Sequence, residues 1–278
     1  MDVTGQGDRA KRFLALHERE RPLLLPNPWD AGSARLLASL GFEALATTSS
    51  GSAATFGRLD GSLTREEAIS SAAAIVQATD LPVSADLENG FADDVTGVAE
   101  TIELALDAGL AGASIEDYAG GAEKPIYEID RAAERVEVAA EAAHRGPTRL
   151  VLTARAENHL RGVDDLADTT ARLQAYQEAG ADVLYAPGLR RLEDIRELVS
   201  SVDLPVNVLA FPGAPSVSEL ADIGVSRISV GGAFAFAALG ATVEAARELL
   251  DEGTYGYFER TGVGLRVART AFAGQVER

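Results

Sequence analysis

An aspartate and a glutamate two residues apart, in Asp86-Leu87-Glu88, follow one short apolar run, and a second acidic pair, Glu116-Asp117, follows the next. In extended chain the D-x-E spacing sends both carboxylates to one side, and Glu116 on a neighbouring segment can reach the same point. Carboxylates gathered in this way repel one another unless a cation lies among them, and hard oxygen donors favour Mg²⁺ or Mn²⁺ over zinc. Asp86, Glu88 and Glu116 are therefore the expected metal ligands. Taken singly, such acids are as readily helix caps or solvated charges in a chain with 43 of them, and it is their recurrence after consecutive apolar runs that argues for a site. Arg155 closes the run RLVLTA and is the expected sole cation of this inner ring. It could grip a substrate carboxylate with two parallel hydrogen bonds, or pair with Glu157. Ser49-Ser50-Gly51 offers hydroxyls and amides suited to a carboxylate or oxyanion, although Ser-Gly clusters are first of all turns. Trp29 in NPWD is a candidate pocket wall, Asn207 lies within a later apolar run, and His159 is the one histidine falling just beyond such a run.

Composition narrows the chemistry further. Lys and Arg number 25 against 43 Asp and Glu, a formal charge of −18, so nucleic acid and anionic membranes are poor partners. Cysteine is absent, which removes disulfides, thiolate nucleophiles and sulfur-ligated zinc. Lys11 and Lys124 are the only lysines and neither adjoins an apolar run, which argues against Schiff-base catalysis. The start, MDVTGQGDRAKRF, lacks the apolar stretch of a signal peptide and predicts a cytoplasmic protein.

Eight apolar or β-branched runs must hold these groups in place: 23–26, 43–48, 82–86, 112–116, 149–154, 182–186, 205–209 and 226–230. Their starts recur about every 29 residues, the length of one strand plus one crossover helix. Between them lie alanine- and glutamate-rich stretches with helical spacing, one opened by Thr64-Arg65-Glu66-Glu67, a capping-box pattern. The phrases LASLGFEAL, ALDAGLAGAS, YQEAGADVL and LADIGVSRI repeat one joint, an apolar helix end, a glycine, then a strand. Continuous apolar strands imply burial on both faces, so the pattern predicts a single α/β domain over 1–278, a parallel (β/α)₈ TIM barrel, with an open doubly wound sheet as the alternative. Residues 1–20 are expected to form an N-terminal helix and 248–278 a helical extension. In such a barrel chemistry sits at the carboxyl ends of the strands, where these polar residues fall.

The segments PNPWDAGSARLL, GFEALATTSSG, SADLENGF, GASIEDYAGG and LTARAENHL, in this order and spacing, resemble the isocitrate lyase and phosphoenolpyruvate mutase superfamily over about residues 20–240. The resemblance implies a (β/α)₈ barrel that uses Mg²⁺ to bind 2-oxo or 2-hydroxy carboxylates and makes or breaks C–C or P–C bonds through an enolate. By position it implies Asp86 as principal metal ligand, with Glu88 and Glu116 completing the ring and Asp60 of GRLDG as a further aspartate of the metal shell. It also implies Ser50 and Gly51 at the substrate carboxylate, Arg155 on the substrate, and an eighth helix, about 232–250, exchanged between the subunits of a dimer or tetramer. The lid that carries a catalytic cysteine in isocitrate and methylisocitrate lyases is here Tyr118 to Lys124, without Cys; Gly120 and Gly121 make it a plausible gate and Lys124 could close on substrate.

Together these readings predict a Mg²⁺-dependent lyase that cleaves a C–C bond of a small 2-oxo or 2-hydroxy carboxylate by decarboxylation or retro-aldol chemistry. Catalysis would rest on Arg155, Glu116 and Asp60, and substrate binding on Trp29, Ser49, Ser50, Gly51, Asp86, Arg155 and Asn207. The alternatives are phosphonopyruvate-type P–C chemistry and a non-catalytic, phosphate-binding barrel using Gly231-Gly232 as its cradle.

Overall fold

In the computed structural model, which describes residues 3–120 and 125–273, eight parallel strands alternate with helices. The strands are β1 (Leu23–Leu25), β2 (Leu45–Ala46), β3 (Val83–Asp86), β4 (Gly112–Glu116), β5 (Val151–Arg155), β6 (Val183–Tyr185), β7 (Val206–Leu209) and β8 (Arg227–Ser229). The hydrogen-bonded order runs β1-β8-β7-β6-β5-β4-β3-β2. A single backbone bond, Ala46 N to Pro26 O at 3.1 Å, draws β2 against the end of β1 and all but closes the barrel. All eight expected strands are present, most of them trimmed at the ends.

Two boundary shifts bear on the site. The expected strand 43–48 shrinks to two residues, because Thr48 turns away to cap a helix beginning at Ser49. The fifth strand begins at Val151 rather than Arg149, whose half-exposed guanidinium instead pairs with Asp182 below the barrel, and it extends to include Arg155. Strand register then sets Glu116 beside Arg155 and Arg155 beside Tyr185, so the acidic ring and its arginine come from neighbouring strand ends.

The helices are α1 (Val3–Ala15), α2 (Ala31–Ser39), α3 (Ser49–Thr55), α4 (Arg65–Gln77), α5 (Val95–Asp107), α6 (Ile129–His144), α7 (Leu166–Glu178), α8 (Leu192–Ser200), α9 (Val217–Asp222), α10 (Ala233–Arg247) and α11 (Phe258–Phe272). The Thr64–Glu67 capping box forms as its sequence predicts, satisfying amide groups that the first turn of α4 leaves without helical partners. At the repeated joints the helix ends on a left-handed glycine, as at Gly109 (φ 86°) and Gly180 (φ 94°), a conformation that opposes a side chain.

The helices pack an apolar shell of Leu, Ile, Val and Ala around the strands. Below the strands, α1 plugs the barrel: Phe13 and Leu16 join Leu23, Val151 and Val183 in a second cluster, and Phe13 fills the space a Gly112 side chain would need. Asn27, just past β1, spans the closing point, donating its amide to Thr47 O at 3.0 Å and accepting from Val230 N and Gly231 N at 2.9 Å each. The eighth helix, α10, behaves differently from the others. Only Ala235 of it is buried, Phe236, Leu239 and Val243 are exposed, and so is Leu24 on the outer face of β1. Beyond it α11 packs on α2. Among the described residues no helix is long and apolar enough to cross a membrane.

Candidate active site

At the carboxyl mouth of the barrel lies an open cavity of about 410 Å³ bordered by Ser49, Asp60, Glu88, Glu116, Gly120, Arg155 and Arg161, among others. A smaller cavity of about 50 Å³ continues into the barrel and is bordered by Asp86, Arg155, Tyr185, Asn207 and Arg227. Ser49, Asp60, Glu88, Glu116 and Gly120 thus lie at the mouth, Asp86 and Asn207 border the smaller cavity, and Arg155 borders both. Trp29, Ser50 and Gly51 border neither cavity. Gly51 has no room for a side chain, because a Cβ there would lie 2.6 Å from Thr48 and 3.1 Å from Trp29. Its amide is bonded to the Thr48 hydroxyl at 3.4 Å, while the Ser49 amide donates to Asp86 at 3.3 Å, so both already have partners. The Gly231-Gly232 cradle is spent in the same way: the Gly231 amide donates to Asn27, and Ser50 occupies the space beside Gly232. Gly121 and Lys124 of the expected lid lie outside the described residues.

The acids do not form one ring around an empty centre. Arg155 is wedged among them, with Nη1 3.3 Å from Glu116 and 3.7 Å from Asp86 and Nε paired with Glu157. Among the described residues no three acidic or histidine side chains stand at mutual distances that would hold a metal ion as they are placed. The reason is visible in the contacts: the guanidinium already neutralises Asp86 and Glu116, the task first given to a dication. Burial opposes the charge of Arg155, but Glu116, Glu157 and Asp86 keep it firmly protonated. Burial in turn pushes the Glu116 carboxyl well above the usual range.

Glu88 is placed otherwise. Its backbone is left-handed (φ 48°) rather than extended, it makes no ion pair with Arg155 among the described residues, and its Oε1 is buried without a hydrogen-bond partner. Burial, then the charges of Asp86 and Asp60, raise its pKa to about 7. An orphaned carboxylate oxygen with two further carboxylates near it is the kind of donor a hard dication takes, so by donor chemistry, though not by their present spacing, Asp86, Glu88 and Asp60 suit Mg²⁺ or Mn²⁺.

Arg155 is not the sole cation, contrary to the sequence reading. Arg161 stands across the mouth cavity, 3.0 Å from Glu157 and 3.9 Å from Glu116, with its guanidinium 3.4 Å from the centre of the Tyr118 ring. Its one sequence signal is the i, i+4 spacing from Glu157. Arg227 lies inside the barrel and is only 4% exposed. Below the mouth, buried Asp117 accepts from Glu157 N (2.7 Å), Tyr176 OH (2.6 Å) and Arg172 (3.0 Å), which fixes the backbone of the residue that braces Arg155. His159 faces Thr169 and Asp164 rather than either cavity.

A (β/α)₈ barrel with carboxylates and arginine at its carboxyl mouth defines an enzyme of the isocitrate lyase and phosphoenolpyruvate mutase superfamily. Residues 13–250 match the phosphoenolpyruvate phosphomutase family, and the chain belongs to it. A provisionally named lyase/mutase of Burkholderia cenocepacia J2315 is 51% identical in its crystal structure, with 92% of each chain covered and a TM-score of 0.90. The oxaloacetate decarboxylase of Chromohalobacter salexigens is 30% identical over 261 residues, 90% of this chain and 88% of its own. The 2-methylisocitrate lyase of Escherichia coli is 28% identical over 215 residues, 74% of this chain and 71% of its own.

Proposed function

We propose that this chain is a lyase, dependent on Mg²⁺ or Mn²⁺, that breaks a C–C bond of a small 2-oxo or 2-hydroxy carboxylate by decarboxylation or retro-aldol cleavage. The observation that carries the reading is the division of the acids: Asp86 and Glu116 held by Arg155, and Glu88, at the mouth cavity, left with one buried oxygen that has no hydrogen-bond partner. The 30% identity to an oxaloacetate decarboxylase supports it, as does the absence of cysteine, since decarboxylation needs no proton donor in the bond-breaking step. A hard dication held by Asp86 and Glu88 would polarise the 2-oxygen and carboxylate of the substrate. Arg155 presents a guanidinium to the charge that develops on the enolate oxygen, a group already oriented by Glu157 and thus preorganised. Arg161 and Tyr118 wall the mouth on the lid side. Exchange of α10 between the copies of a dimer or tetramer belongs to the same reading, and the exposed Phe236, Leu239 and Val243 are consistent with it.

Turnover of oxaloacetate or another small 2-oxo or 2-hydroxy diacid, abolished by EDTA and restored by Mg²⁺, is the expected result for purified protein. A complete panel with no EDTA-sensitive turnover would refute the lyase reading, and a phosphorus NMR signal of P–C cleavage from phosphonopyruvate would replace it.

Metal binding should also depend on pH in a defined direction. Glu88 titrates at about 7 without metal, and only its ionised form binds a cation. The apparent Mg²⁺ affinity is therefore expected to rise by up to about tenfold per pH unit below 7 and to level off above it. Calorimetry at pH 6 in two buffers of different ionisation enthalpy should show release of close to one proton, and no release would place the metal elsewhere.

A further inference from the structure

Most (β/α)₈ barrels are filled by layers of bulky branched side chains. Here the space between the apolar floor and the acidic mouth is bordered mostly by small or polar groups, Ala46, Ser84, Ser114, Asn207 and Ser229, with Leu25 and Tyr185 the bulkier exceptions. This leaves the lower cavity of about 50 Å³, several times the roughly 10–15 Å³ that one water requires. Arg227 enters this space from β8. Its guanidinium donates to Asn207 at 3.0 Å, to the ring nitrogen of His17 at 3.2 Å and to Thr153 at 3.1 Å. A guanidinium carries five N–H groups, so two remain without an acceptor among the described residues. No carboxylate there forms an ion pair with it either.

Apart from the Tyr185 phenol, which borders the same chamber, the surroundings give this charge little compensation. His17 is held neutral, its pKa lowered to about 3 by burial and by Arg227 itself. Burial lowers Arg227 to about 10, which still leaves it charged at neutral pH. The second cation bordering the cavity is Arg155, and the one acid bordering it, Asp86, is engaged by Arg155 and the Ser49 amide. The Ser84 and Ser114 hydroxyls border the same space and make no hydrogen bond among the described residues.

We propose that this chamber inside the barrel is a binding site for a small anion, with Arg227 as its anchor and the serine hydroxyls as supporting donors. An isolated buried charge is costly, and an anion at the two spare N–H groups offsets it. The shared chemistry is a carboxylate or an inorganic anion of similar size. In the first case it is the second carboxylate of a diacid whose 2-oxygen faces Arg155 and whose first carboxylate lies beside Asp86 and Glu88, and this arm alone rests on the lyase reading. In the second it is a free anion such as chloride.

Crystals of the full chain soaked in bromide are expected to show an anomalous peak beside Arg227. In solution at constant ionic strength, halide in place of gluconate should raise Tm by roughly 5 °C at saturation. Arg227→Met should abolish the shift. Ser114→Val, which fills the chamber and leaves Arg227 in place, should do the same and keeps the test open if the first variant does not fold. Displacement of the bromide peak by a 2-oxo diacid with Mg²⁺, but not by a 2-oxo monoacid, identifies the substrate as the source; persistence of the peak identifies the free anion. No peak, together with equal Tm values in halide and gluconate and no preference for diacid over monoacid, overturns the proposal. Bromide bound at Arg227 in a protein that turns over no 2-oxo acid would sink the lyase reading alone.

Discussion

Replacing Arg155 by methionine is expected to lower kcat/KM by about 10³-fold, the upper end of what one preorganised donor contributes. Among the described residues the side chain alone pairs with Asp86, Glu116 and Glu157 together, and its loss leaves three neighbouring carboxylates with little between them. Removing one partner of a buried pair costs about 3–5 kcal/mol, so the variant should be less stable as well as less active. The deficit has a pH signature. Without the guanidinium the Glu116 carboxyl, already raised by burial, rises further. A carboxyl whose folded pKa exceeds its unfolded value of 4.5 binds its proton more tightly in the native state. The variant's deficit should therefore be smallest at pH 4, where Glu116 is protonated in both proteins, and grow as pH rises above the raised folded pKa of Glu116. Denaturant titrations at pH 4, 6 and 8 read this directly. A deficit independent of pH, or activity within tenfold of wild type, would show that Arg155 is not the pivot of the site.

Asp117→Ala is expected to be the most damaging single change outside the two cavities. The carboxylate accepts from Glu157 N, Tyr176 OH and Arg172, and Arg172 also donates to Tyr127 O. Truncation strands an amide, a phenol and a guanidinium in the interior together, for about 3–5 kcal/mol and a Tm lower by about 10 °C. Asp117→Asn keeps one acceptor and should lose roughly half as much. If Asp117→Ala melted within 2 °C of wild type, the network would not be holding the fifth strand end as described.

Much of the scaffold was legible in the sequence because it is written in repeated local chemistry. An apolar run, a helix of Ala and Glu, and a glycine joint recur, and each constrains the next element independently of distant contacts. Asp86, Glu88, Glu116 and Arg155 were legible for a related reason, since a barrel fixes what the end of a strand must face. What stayed hidden depends on register and rotamer. Arg227 in SRISV looks like a solvated residue on a strand, and only the small or polar side chains of other strands make room for it inside. Glu88 takes a left-handed backbone angle instead of the extended one that D-x-E spacing assumes, which no spacing rule announces. The Ser49 to Gly51 segment looked like a turn and became the first residues of a helix, which committed amides expected for substrate.

Asn27 has an implication for the order of events during folding. A primary amide can give one hydrogen bond and take two in a single short side chain, which aspartate and alanine cannot. It buckles together residues 27, 47 and 230–231, brought from opposite ends of the polypeptide. Because that buckle also borders the chamber above Arg227, the cavity has no complete wall until the last strand docks. A nascent or partly assembled chain is thus barred from ligand, and competence to bind arrives only when the circle is fastened.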